Sequence, residues 1–139
     1  MSARARKRAI NPAGVAAPIR GYYSNCVRVE AGPLLFIAGQ VGVDASGKLV
    51  DRESAAAQAE QALVNIDRIL AANGATMADV VKVTVYVTDM KYLDEITPVR
   101  LKYFPREGPA SAIVQVGALA FPELKVEIEA VAAPSQGER

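Results

Sequence analysis

The chain contains no histidine and one cysteine in 139 residues, and these two shortages exclude several kinds of chemistry at once. Without imidazole, neither a Ser-His-Asp nor a Cys-His nucleophilic arrangement can be built, nor a two-histidine zinc motif, nor a paired-imidazole ribonuclease mechanism. Cys26 has no partner for an internal disulfide, which fits a reducing cytoplasm. It reads as a small, half-buried strand residue. Tryptophan is absent and aromatics make up 6%, so no stacking platform for single-stranded nucleic acid is visible. The net charge of +1 creates no field that favours nucleic acid or an anionic membrane. No apolar run approaches the length of a membrane-spanning helix. The basic start leads into Ile10-Asn11-Pro12 and not into the apolar core of a signal peptide. Chemistry here must run on carboxylates, hydroxyls, tyrosines, backbone amides and basic side chains, with no metal or organic cofactor implied.

The composition that remains is ordinary for one globular domain: 51% apolar and 22% charged, enough to bury a core without covalent staples. Charge is uneven along the chain. Arg4, Arg6, Lys7 and Arg8 carry four positive charges in the first eight residues, which takes the remainder from +1 to −3. Residues 1–9 accordingly read as a basic flexible tail, 10–133 as the domain and 134–139 as a polar C-terminal tail.

Tyr23 to Val29 alternates weakly and reads as a strand. Leu34 to Gly39 is a short apolar run compatible with a buried strand. Asp44-Ala-Ser-Gly47 is a turn cluster. Ala59, Ala62, Leu63, Ile66, Ile69 and Leu70 then recur at helical spacing, and Asn73-Gly74 stops the helix. Val81, Val83, Val85 and Val87 share one face of the next strand, with Lys82, Thr84 and Tyr86 on the other. A second helix is expected from Leu93 to Phe104. Pro98 is tolerated only in a first turn, so Thr97 is expected as its cap and the helix starts late. Ala112 to Val116 and Lys125 to Ala132 read as closing strands. The whole is an α+β fold, a mixed β-sheet with two helices packed on one face. Strands this apolar, with only two helices to cover them, also suggest that a partner covers the other face.

Five segments in this order resemble the Rid (reactive intermediate deaminase, YjgF-like) family. They are Gly21-Tyr-Tyr-Ser-Asn-Cys-Val27, Leu34-Leu-Phe-Ile-Ala-Gly-Gln40, the helix with Asn73-Gly74, the strand Asp79 to Asp89, and the block Gly108-Pro-Ala-Ser-Ala-Ile-Val-Gln-Val-Gly117 with Lys125-Val-Glu-Ile-Glu-Ala-Val-Ala132. The resemblance implies a chorismate-mutase-like fold, a homotrimer with clefts between subunits, and cofactor-free hydrolysis of reactive enamines or imines to a carbonyl and ammonia.

Residue by residue, the resemblance assigns Glu127 as the catalytic carboxylate that positions water. Glu127 and Glu129 share a strand face about 7 Å apart, so pattern alone leaves either as the functional one. Tyr23, Gly39, Ala112, Ile113 and Thr97 fall on cleft positions. Ser111 departs from the pattern, because family deaminases carry there an arginine that grips the substrate carboxylate. A serine implies a substrate other than the usual small 2-imino acid, unless another cation substitutes; Arg106, Arg100 and Lys102 lie just upstream, and Arg106 is the one expected to supply a relocated guanidinium. Ala38 stands where many relatives have serine. A non-catalytic module that binds a small molecule in the same clefts is the alternative reading. An endoribonuclease ranks behind both.

Overall fold

A computed structural model describes residues 3–4, 6–19 and 21–137. Eight strands and two α-helices follow one another as β1 (Ala3–Arg4), β2 (Lys7–Ile10), β3 (Cys26–Val29), β4 (Leu35–Gln40), α1 (Ala55–Ala72), β5 (Val80–Val87), α2 (Leu93–Tyr103), β6 (Ala110–Gln115), β7 (Val126–Ala132) and β8 (Gln136–Gly137). The main sheet has the order β4-β7-β5-β6. β7 is antiparallel to both of its neighbours, and β5 runs parallel to β6. The last long strand in the chain thus slots between two earlier ones. α1 carries the chain past that slot, and α2 makes the short crossover from β5 to β6.

The helical side of the sheet is the core. Val83, Val85, Val87, Val126, Ile128 and Ala130 from the sheet meet Ala59, Ala62, Leu63, Ile66 and Leu70 from α1, all buried. Ser54 caps α1 by accepting from Ala57 N–H at 3.0 Å. At its other end Gly74 takes φ 68°, which returns Ala75 N–H to the Leu70 carbonyl at 2.9 Å. The opposite side of the sheet is open. It presents Phe36, which is 78% exposed, beside Ala38, Lys82, Thr84, Glu129 and Val131 around a hollow of about 480 Å³. No helix among the described residues is long and apolar enough to cross a membrane.

Four expectations require correction. The basic tail is built into the fold from Arg6 onward: β2 pairs with β3 in register Lys7↔Val29 to Ile10↔Cys26. Arg6 itself is 4% exposed and donates to the carbonyls of Ala31, Pro33, Glu30 and Pro134. The expected C-terminal tail likewise holds a strand, since β8 pairs with β1. α2 starts at Leu93 despite Pro98 inside it, and Thr97 is no cap, because its hydroxyl donates to the Leu93 carbonyl within the helix at 2.8 Å. Cys26 lies in β3 as a strand residue but is exposed.

Candidate functional site

Two groups of polar side chains stand out, one on each side of the sheet. On the open side, β7 presents Glu127 and Glu129 opposite Tyr86 and Thr84 of β5. Glu129 Oε1 accepts from the Tyr86 hydroxyl at 2.7 Å. That bond, together with partial desolvation and the charges of both glutamates, holds the Tyr86 phenol above its ordinary pKa. Glu127 has no side-chain hydrogen bond to any described residue and is half-buried. Its carboxylate lies against the backbone of Gly39: a Cβ on that glycine would fall 2.8 Å from Glu127 Cδ. The two carboxylates that the sequence left equivalent are therefore distinct in the structure. One is tied to a phenol, and the other is free beside a bare stretch of backbone.

The second group lies on the helical side, at the edge strand β6. Ser111 pairs with the buried Val83, so its side chain shares the helical face. Ser111 Oγ accepts from Arg100 Nη2 of α2 at 2.5 Å. The Arg100 guanidinium carbon sits 4.2 Å from the centroid of the Tyr22 ring, within cation–π range. Arg100 is 2% exposed. Burial pulls its pKa below the usual arginine value, against the smaller opposing effect of Tyr22. The ion pairs found among the described residues join Arg28 to Glu30, Lys91 to Asp89 and Lys102 to Glu60, and none of them neutralises Arg100.

The other sequence candidates fall around these groups or away from them. Tyr23 lies beside Tyr22 with ring centroids 5.5 Å apart, and its hydroxyl accepts from Ile19 N–H at 3.0 Å. Ile113 pairs with Val85 on the helical face, whereas Ala112 pairs with Thr84 and is exposed on the open one. Thr97 is buried one turn before Arg100, with its hydroxyl already used. Arg106 makes no hydrogen bond to Ser111 among the described residues. It lines a separate hollow of about 500 Å³ with Lys7, Arg8 and Glu107. The cation that meets Ser111 is therefore Arg100 and not Arg106.

Sequence reasoning named Arg100 beside Arg106 and Lys102 as an upstream cation but chose Arg106, and it passed over Tyr22 as a site residue. A signal for Arg100 was present: it falls on the inward stripe of α2, one turn beyond Ile96 and Thr97, where a charge is out of place.

Within one chain the two groups do not meet. Ser111 and Glu127 are two strands and three residue levels apart by register, roughly 14 Å from strand geometry, on opposite faces. Among the described residues no cluster of three or more histidine, cysteine, aspartate or glutamate side chains is placed to hold a metal ion.

Comparison with known proteins places this arrangement. The family model described as Endoribonuclease L-PSP matches residues 14–134. The 2-iminobutanoate/2-iminopropanoate deaminase of Bos taurus is 42% identical over 113 residues, covering 81% of this chain and 80% of its own. Protein DfrA of Myxococcus xanthus is 38% identical over 112 residues, covering 81% and 85%. The crystal structure of YyfB from Yersinia pestis, a protein of unknown function of the conserved Rid family, superposes with a TM-score of 0.85 at 37% identity. It covers 92% of this chain and 98% of that one. With the fold, the order of motifs and these matches in agreement, the chain belongs to the Rid (YjgF-like) family.

Proposed function

We propose that the protein is a hydrolytic deaminase of reactive enamines or imines, with Glu127 as the carboxylate that handles water. The observation that carries this reading is the contrast on β7: Glu129 is engaged by Tyr86, while Glu127 faces Gly39 with its oxygens uncommitted. A free, half-buried carboxylate can orient water and accept its proton. Water oxygen bonds to the imine carbon while its proton passes through Glu127 to the nitrogen, giving a carbinolamine. Glu127 then takes the remaining hydroxyl proton and delivers it to the nitrogen. The C–N bond breaks, ammonia leaves and the carbonyl forms. The balance needs no redox partner. Relatives named as 2-iminobutanoate/2-iminopropanoate deaminases support the same reaction class.

The reading includes a homotrimer. The polar groups at Glu127 and at Ser111 lie on opposite faces of one sheet, so a cleft that uses both must be closed by a second copy. The exposed Phe36 and its apolar surroundings on the open face offer surface for that contact. The ribonuclease in the family model's description has little to rest on here, since the chain has no imidazole and few aromatics.

The test is ammonia release from enzymatically generated 2-iminopropanoate and 2-iminobutanoate. Wild type is expected to accelerate it, and Glu127→Gln, which keeps shape and loses the base, is expected to fall to the uncatalysed rate. Equal acceleration by both proteins removes Glu127 from the chemistry. No acceleration by wild type, together with a small molecule that co-purifies, favours the binding-module reading.

A further inference from the structure

We infer that the hollow between β2 and the loop leaving α2 is a second ligand site, and that it takes a small phosphomonoester. The inference goes beyond the deaminase reading and does not depend on it, since none of Glu127, Gly39, Tyr86, Ser111 and Arg100 lines this hollow. Its volume of about 500 Å³ suits one small molecule, for which sites run from roughly 300 to 1,000 Å³. Three segments far apart in sequence wall it: β2, the turn at Met77 and Ala78 that enters β5, and the loop from Phe104 to Pro109.

Charge selects the ligand. Lys7, Arg8 and Arg106 line the hollow, and Glu107 is the one carboxylate among the described residues that does so, which leaves positive charge in excess by two. None of the three cations takes part in the ion pairs among the described residues. Lys7 is the least solvated of them. It shares a strand face with Ala9, which pairs with Val27, and both line the hollow beside it. Burial lowers the Lys7 pKa, outweighing the opposing influence of Asp79 and Glu107. A partly desolvated ammonium without a contact partner is relieved by an anion that enters from solvent. A phosphomonoester carries about two negative charges at neutral pH and three acceptor oxygens. It matches the excess, whereas a single carboxylate leaves half of it unbalanced.

The frame around these charges is fixed. Gly108 N–H donates to the Gly21 carbonyl at 3.2 Å, and a Cβ on Gly108 would fall into the Tyr22 carbonyl, so the loop lies flat against that backbone. Glu107, just before it, holds φ 46° in the left-handed region. Glycine is relaxed there and glutamate is not. Such an outlier points to a role for its side chain, and a carboxylate at the rim can accept from a ligand hydroxyl. The body of the ligand meets Val27, Met77, Val80, Tyr103 and Phe104, so it is compact and partly apolar.

Calorimetric titration of the intact protein with phenyl phosphate tests the site. Saturable binding with a Kd of about 1 mM or tighter is expected. Benzoate, with the same ring and half the charge, should bind about tenfold more weakly. Lys7→Met and Arg106→Met should each weaken phenyl phosphate on the order of tenfold. Glu107→Gln removes the opposing charge, and the probe has no hydroxyl to lose, so binding should tighten about threefold. Absence of saturation, or unchanged affinity in both methionine variants, overturns the site. Arg106 is exposed in a loop, so unchanged affinity in Arg106→Met alone is decisive if Lys7→Met does not fold. Equal affinity for benzoate sinks the phosphate assignment. An oligonucleotide with a terminal phosphate that binds more tightly than phenyl phosphate would overturn the small-molecule assignment in favour of a nucleic-acid end. Binding is read as heat in the absence of any imine, so these outcomes stand apart from whether Glu127 supports ammonia release.

Discussion

Gly39 and Glu127 share one space: the glutamate carboxyl group occupies the volume that any side chain on residue 39 would fill. A Cβ there would lie 2.8 Å from Glu127 Cδ and 3.0 Å from its Cγ, inside van der Waals contact. Gly39→Ala is therefore expected to displace the carboxylate while leaving β4 in its register. A displacement near 1 Å costs about 100-fold in rate where positioning matters. Kinetics of ammonia release should show that loss in kcat, with the thermal midpoint nearly unchanged. A variant as active as wild type would mean that the carboxylate does not work from this position.

Glu129 serves as the internal control for that argument. Its oxygen is already committed to the Tyr86 hydroxyl, so Glu129→Gln removes a charge but leaves a group that can still accept that hydrogen bond. Activity is expected to stay within about threefold of wild type, because no interaction made only in the transition state is lost. Parallel assays of Glu127→Gln and Glu129→Gln decide the point. Equal losses in the two would return the carboxylates to the equivalence they have in sequence.

The parts of the fold legible in the sequence are those whose periodicity reports a single packed face. α1 was legible because Ala59, Ala62, Leu63, Ile66 and Leu70 all face the core. β5 was legible because Val81, Val83, Val85 and Val87 alternate against one solvated side. The insertion of β7 between β4 and β5 was not, since it depends on pairings 39 or more residues apart along the chain, about which local pattern is silent. The helix expected over Leu93 to Phe104 is present as α2, but the late start and the Thr97 cap inferred from Pro98 are not. Proline there removes one hydrogen bond to the Asp94 carbonyl, and exposed Asp94 leaves that carbonyl to water, so the helix continues through it. Within the site, Glu127 and Ser111 were visible as motif positions. Which of the upstream cations meets Ser111 was not, because that contact is fixed only once α2 sets Arg100 against β6.

Arg6 illustrates the same limit at the N-terminus, where a basic cluster read as solvated. Its guanidinium gathers carbonyls from Glu30, Ala31, Pro33 and Pro134, joining the β2–β3 hairpin to the end of β7. Gly32 permits that approach, since a Cβ there would meet the guanidinium carbon at 2.5 Å and the backbone is at φ 149°. Arg6→Met leaves several carbonyls unpaired and is expected to cost about 2–4 kcal/mol. Arg6→Lys should rescue little of this, because an ammonium cannot reach four carbonyls spread around a planar fork. Urea unfolding at neutral pH measures both, and a loss under about 0.5 kcal/mol in Arg6→Met would mean that the clasp is ornamental.

Tyr103 gives the fold an alkaline limit. Burial first, and the nearby Glu60 carboxylate second, push its phenol up to about 12. In the unfolded chain the same group ionises near about 10. A folded state that holds its proton more tightly is favoured at any pH below the unfolded value. That advantage drains away as pH climbs from about 10 to about 12, because over this window the unfolded state has released a proton that the folded state retains. Tyr86, raised by Glu129, adds a contribution of the same sign. Tyr103→Phe should therefore make the denaturation midpoint fall less steeply across that window, without abolishing the slope. Urea midpoints at a series of alkaline pH values provide the measurement. A slope identical to wild type would place the Tyr103 hydroxyl in contact with solvent and out of reach of Glu60.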